Sequence, residues 1–167
     1  MRIDLPDETI FCFFRLGLVT GLVERQTVIT WADRQILERA VPNETIIELS
    51  LASGKPYSQI IWMLNHMQGA VDYNLATEYN PLKMLFACAE QLLAEDPNRA
   101  KQIAQGLSLL LAEEYLPKEI RNQLYSLEGN LEAYQIGLIN PEDFKNHLID
   151  FLRSYTNYRH LLAGIIN

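Results

Sequence analysis

Apolar residues recur along this chain at helical intervals, and proline and glycine punctuate them. Pro6 opens a first predicted helix, with Asp7 and Glu8 in the turn where the helix dipole favours carboxylates. It carries Ile10, Phe11, Phe13, Phe14 and Leu18, and Gly17 or Gly21 ends it. A second helix is predicted over roughly residues 25–40, with Val28, Trp31, Ala32 and Ile36 on one side and Pro42 beyond its end. A third, short helix covers roughly residues 43–53 and stops at Gly54. A fourth starts at Pro56 and ends near Gly69, carrying Ile60, Ile61, Met63, Leu64 and Met67. Residues 70–79 have no clear period and read as a loop.

Asn80-Pro81 and Asp96-Pro97 each place a capping side chain directly before a proline that fits the first helical position. The first pair opens a helix with Leu82, Leu85, Phe86, Ala89, Leu92 and Leu93. After the second, Ala100, Ile103, Ala104, Leu107, Leu110 and Leu111 cover a wide arc, which predicts burial on more than one side. Gly106 inside that helix suits a close helix contact. Pro117 opens a long helix whose apolar residues Ile120, Leu124, Leu127, Leu131, Tyr134 and Leu138 form a narrow seam, with Gly137 at its end. Asn140-Pro141 starts another, with the seam Phe144, Leu148, Phe151, Tyr155, Tyr158 and Leu162. Two matched seams joined by a short turn predict a C-terminal antiparallel helical hairpin. Gly21-Leu22-Val23 and Gly137-Leu138-Ile139 repeat one corner chemistry, a left-handed glycine followed by a leucine that can pack back. The expectation is an all-α single domain over residues 1–167, with about eight helices in antiparallel hairpins, an array or an irregular bundle.

Composition adds direction to this frame. The net charge of −7 is unevenly spread. Residues 56–98 carry Lys83 alone against Asp72, Glu78, Glu90, Glu95 and Asp96, whereas the tail from Lys145 onward is net positive. A field of this sign repels phosphate, which argues against nucleic acid as a partner. It suits a basic partner, or it serves only solubility. Residues 10–23 are too short, and too broken by Arg15 and two glycines, to span a membrane. Asp4, Asp7 and Glu8 stand where a secretion signal would carry positive charge. Cys12 and Cys88 each lie in an apolar run and read as buried free thiols, although a bridge between them stays open; a reducing, cytoplasmic compartment is expected. The sequon Asn43-Glu44-Thr45 then has no consequence.

Candidate chemistry is sparse. The histidines are His66, His147 and His160, and Asp143 and His147 are one turn apart, but no second Glu-x-x-His motif completes a bundle-type metal centre. Ser50, Ser53 and Ser58 lack a nucleophile elbow, and no glycine-rich phosphate loop exists. No catalytic residue, cofactor or metal is assigned. Glu113, Glu114, Glu128 and Glu132 read as solvated helix faces, and Tyr125 lies off its seam beside Glu128 and Glu132. Tyr73, Tyr79 and Tyr115 also neighbour acidic groups. Tyrosine with carboxylate is a common recognition chemistry, set against ordinary half-buried tyrosine as the alternative. The candidate partner-binding residues are therefore Glu113, Glu114, Tyr125, Glu128 and Glu132. Trp31 and Trp62 are expected in the core.

The run Phe13-Phe14-Arg15-Leu16-Gly17-Leu18-Val19-Thr20-Gly21-Leu22-Val23, then Trp31-Ala32-Asp33 and Ile47-Glu48-Leu49-Ser50-Leu51, resembles small bacterial helical proteins. Some of these sit among the immunity proteins of polymorphic toxin systems. The resemblance covers about residues 11–55 and carries over no catalytic residue. It implies a non-enzymatic protein that binds another protein through an acidic face. The alternatives are a scaffold that self-associates, for instance as a homodimer, and an enzyme whose site is assembled from scattered residues.

Overall fold

A computed structural model describes residues 3–166. Among these the elements are all helical: α1 (Asp7–Thr20), α2 (Arg25–Glu38), α3 (Glu44–Ser50), α4 (Tyr57–Met67), α5 (Pro81–Glu95), α6 (Ala100–Ser108), α7 (Lys118–Gln135) and α8 (Pro141–Leu152). Short 3-10 segments cover Pro97–Arg99, Leu109–Ala112 and Arg153–Leu162. The capping reading holds at three starts. Asn80 accepts from the Leu82 and Lys83 amides, Asp96 from that of Asn98 and Asn140 from that of Asp143, and Asn43, not singled out in the sequence, accepts from that of Ile46. Each satisfies a backbone donor that the first helical turn leaves without a partner.

α1 is the axle. Its residues from Ile10 to Leu18 are all buried, and it packs on α4, α5 and α6. A helix apolar on every side must be surrounded, and Phe11 and Phe14 meet Trp31 of α2 edge-on at 6.0 and 5.4 Å between ring centres. α5 is buried almost as completely and lies against α1 and the 3-10 segment Arg153–Leu162. α2 and α3 form a hairpin, and α7 packs between α6 and α8.

The C-terminal hairpin forms with its seams largely as spaced. Ile120, Leu124, Leu127 and Leu131 of α7 are buried, as are Phe144 and Leu148 of α8, and the rings of Tyr134 and Phe144 stack at 4.8 Å. Two departures have local causes. Leu138 leaves the α7 seam and is exposed, because the helix ends at Gln135 and Gly137 turns left-handed at φ 77°. The seam of α8 also changes period. After Leu152 the chain tightens to 3-10 geometry, which adds Leu161 to the buried positions, while Tyr155 and Leu162 are buried as spaced and Tyr158 is half-buried between them. Phe86 of α5 receives this segment, 5.4 Å from Phe151 and 4.8 Å from Tyr155.

The two glycine corners share a left-handed residue and then diverge. Gly21 has φ 71°, close to Gly137. After Gly137 the Leu138 amide donates to the Ala133 carbonyl at 2.8 Å; after Gly21 it is Val23 that reaches back, to Gly17 at 3.0 Å. Leu22 and Val23 are buried where Leu138 is exposed. Trp31 is a core residue as expected, but Trp62 is not: it lies 61% exposed on the outer side of α4, its ring tilted against that of His66 with 4.1 Å between centres. Ile60, Met63 and Leu64 take the inward positions of that helix, and Trp62 falls between their turns on the opposite face.

Gly106 marks the closest helix approach. A Cβ added there would run into the Thr20 carbonyl oxygen at the end of α1. Gly129 of α7 is the opposite case, since a Cβ there meets nothing within 4 Å. Gly106→Ala is expected to destabilise the protein by about 1–3 kcal/mol through overpacking. Gly129→Ala should instead stabilise it by up to about 1 kcal/mol through helix propensity. Thermal melts of the two variants check the pair, with shifts of about 2–4 °C per kcal/mol for a chain of this size.

Candidate protein-binding face

The long helix α7 presents two sides. Ile120, Leu124, Leu127 and Leu131 face the core, which leaves Tyr125 and Glu132 outward. Tyr125, Glu128 and Glu132 are three and seven residues apart along one side, so the two ends of that stripe are separated by about 10 Å of helix. Tyr125 is 55% exposed, Glu132 is exposed and Glu128 is half-buried. Glu113 and Glu114 do not belong to a helix face. They follow the 3-10 segment Leu109–Ala112, in the turn before α7. Arg121 pins that turn by donating to the carbonyls of Leu111 at 3.0 Å and Glu113 at 2.7 Å.

Glu114 is exposed, whereas the expectation that Glu113 is solvated is wrong. Its carboxylate turns inward and takes the guanidinium of Arg15 in a two-pronged pair, at 2.6 Å from Nη1 and 2.9 Å from Nη2. The reason is the position of Arg15, the one charged group on the buried length of α1, which would otherwise stand unpaired among phenylalanines and leucines. Arg15 Nε donates to Gln68 Oε1 at 2.7 Å, and Nη2 donates also to the Tyr73 hydroxyl at 3.0 Å. That hydroxyl donates in turn to Glu113 Oε2 at 3.0 Å, and the Cys12 thiol donates to it at 3.8 Å. Tyr73, in an aperiodic stretch, is thereby a buried member of the network rather than a surface tyrosine.

The electrostatics follow from burial and pairing. Desolvation pushes the Glu113 carboxyl up, but the hydrogen bonds and charge of Arg15, with help from Tyr73, outweigh it and hold the group below its ordinary value. Burial pushes the Tyr73 hydroxyl and the Cys12 thiol up, and it raises Cys88 to about 12. Both cysteines are free and protonated at neutral pH, a poor state for a nucleophile. A cleft of about 200 Å³ lined by Thr9, Cys12, Gln68, Val71 and Tyr79 lies beside this network, but it offers an inert thiol.

The histidines are held locally. His66 Nδ1 bonds to the Trp62 carbonyl at 2.8 Å and His160 Nδ1 to that of Asn157 at 2.7 Å. His147 lines a cleft with Gln123, Ser126, Leu127, Asn130 and Phe151, which places amides and a hydroxyl beside it. Asp143, one turn from His147, accepts from the Asn140 side chain at 2.8 Å. Among the described residues no three metal-ligating side chains converge. No helix among them is long and apolar enough to cross a membrane.

Two features went unread in the sequence. Trp62 was hidden by the assumption that tryptophan on an amphipathic helix faces the core. The Arg15–Glu113 pair had a signal: a lone arginine inside an apolar helix demands a carboxylate, although its address 98 residues away is not local information. Comparisons with protein-family models, with curated proteins and with solved structures found no match.

Replacing Glu113 by Gln leaves the buried guanidinium without its counter-charge and is expected to destabilise the fold by about 3–5 kcal/mol at neutral pH. The folded carboxyl titrates below its ordinary 4.5, so its contribution is complete above that pH and is lost as pH falls through the folded value. Denaturant melts from neutral to acid pH should therefore show the gap between wild type and Glu113→Gln closing below about pH 4.5. An unchanging gap would place the effect elsewhere.

Proposed function

We propose that this protein is a non-enzymatic protein-binding module, of the kind that inhibits a toxin by covering a basic surface with an acidic helical face. One observation carries the reading. Long-range arginines are spent inward, while carboxylates and large apolar side chains stand outward. Arg15 and Arg39 pair with Glu113 and Asp7, and Arg159 with Glu90. Arg25, Arg34 and Arg121 donate to the carbonyls of Lys55, Gly164 and Leu111. The outer surface of α7 holds Tyr125 with Glu128 and Glu132, and Glu114 stands exposed before it. Such a surface favours fast, salt-sensitive association with a basic protein and offers little to a phosphate backbone. Its place is the cytoplasm, where Cys12 and Cys88 stay reduced.

A second reading is a scaffold that self-associates. Ile136 and Leu138 favour it, since both stand exposed at the corner between α7 and α8. Light scattering on the purified protein decides this reading, and a monomer at high concentration sinks it.

Affinity purification from the source cell, eluted by increasing salt, tests the first reading. A basic protein retained at low salt and released at high salt is the expected result. Tyr125→Ala combined with Glu132→Lys should weaken that capture by about tenfold or more, as loss of an aromatic anchor and a charge contact does. Recovery of no protein partner, or of one indifferent to salt, would count against the reading.

A further inference from the structure

The helix α3 has an apolar surplus. Ile46 and Leu49 point into the core and are fully buried. The seven residues of α3 make just under two turns, yet Ile47 and, directly after the helix, Leu51 lie on the other side, 39% and 72% exposed. Glu44 and Glu48 share that outer side at helical spacing. A helix that is apolar on two sides calls for a second covering.

α2 extends the same surface. The Ser50 hydroxyl donates to the Asp33 carboxylate, which sets the outer edge of α2 beside the end of α3. Leu37, one turn on from Asp33, is 86% exposed. Aliphatic and acidic side chains therefore alternate over the outside of the hairpin, at Asp33, Leu37, Glu44, Ile47, Glu48 and Leu51. The nearby cations face elsewhere. Arg34 donates to the Gly164 carbonyl at 2.6 Å, and Arg39 holds Asp7 through Nη1 and Nη2 at 2.8 and 2.6 Å.

We infer that the outer face of the α2–α3 hairpin is a docking site for a basic amphipathic helix of another protein. The inference rests on the protein-binding reading only in taking a protein segment as ligand. It assigns a surface separate from the α7 stripe. Charge decides among occupants. A second copy would set carboxylate against carboxylate, and an anionic lipid surface would be repelled in the same way. A helix with leucines on one side and lysines or arginines at its margins covers Leu37, Ile47 and Leu51 and pairs with Asp33, Glu44 and Glu48. The α3 edge from Glu44 to Leu51 is about 10 Å long, enough for roughly two turns of such a helix.

The test is a titration of the intact, isotope-labelled protein with a synthetic helical peptide of about 18 residues, leucine on one face and lysine on the other. Amide shifts are followed by NMR, and affinity by fluorescence anisotropy at low and high salt. The expected result is saturable, salt-weakened binding with shifts concentrated over residues 33–51. Leu37→Ser with Leu51→Ser, and separately Glu44→Lys with Glu48→Lys, should each weaken binding by about tenfold or more. All four positions point to solvent, and a melt of each variant confirms folding. Leu109→Ser, at an exposed position outside both the hairpin and α7, should leave the peptide affinity unchanged. Shifts centred outside residues 33–51, or variants that bind like wild type, overturn the assignment. So does a concentration-dependent dimer that shields these amides, or a stronger response of the same amides to anionic vesicles. An empty affinity purification does not touch this titration. A failed titration leaves a captured partner free to bind through α7.

Discussion

The arrangement depends on a single buried charge. Arg15 sits on the helix at the centre of the fold, where a guanidinium without a counter-charge is not tolerated. Satisfying it recruits groups from three separate stretches: Gln68 at the end of α4, Tyr73 in the aperiodic segment before α5, and Glu113 in the turn before α7. The stretches that hold Tyr73 and Glu113 lack repeating backbone hydrogen bonds of their own. The polar cluster does for them what a helix ladder does elsewhere, giving irregular chain a definite place. The same cluster silences the most conspicuous nucleophile, since Cys12 lies against Tyr73 in a desolvated setting that keeps its proton on.

The inward use of arginine shapes the outside as well as the inside. An arginine that spans elements supplies several donors to carbonyls and carboxylates that would otherwise be poorly satisfied. Arg121 stitches the Leu111–Glu113 turn to α7, and Arg34 ties α2 to the C-terminal segment at Gly164. What remains on the outer helix faces is a mixture of carboxylates with aliphatic and aromatic side chains. Isolated exposed leucines are ordinary on protein surfaces. On the α2–α3 hairpin they are grouped and interleaved with acids.

Close packing accounts for the remaining geometry. Gly106 lets α6 meet the end of α1 almost backbone to backbone. At the C-terminus the chain meets Phe86 and tightens into 3-10 turns, so that successive tyrosines fall on one line.

Helix starts, the glycine corners and the paired seams were legible in the sequence, because each is written in residues within one or two turns of the feature. Asn80 and Asn140 cap the helices that follow them, and Leu124 and Leu148 face inward as their spacing demands. The sequence by itself also determined that acid predominates over residues 56–98 and that the candidates Tyr125 and Glu132 leave the seam of α7. Only the tertiary structure decided that Glu113 belongs to Arg15 instead of to solvent, that Tyr73 is buried, and that Trp62 faces out. It also decided the switch to 3-10 geometry after Leu152. The physical reason is common to all four. Capping and periodicity are satisfied within a local stretch of backbone, whereas a buried charge, an aromatic side chain and a packing void choose their partners in space, from residues that the chain keeps far apart.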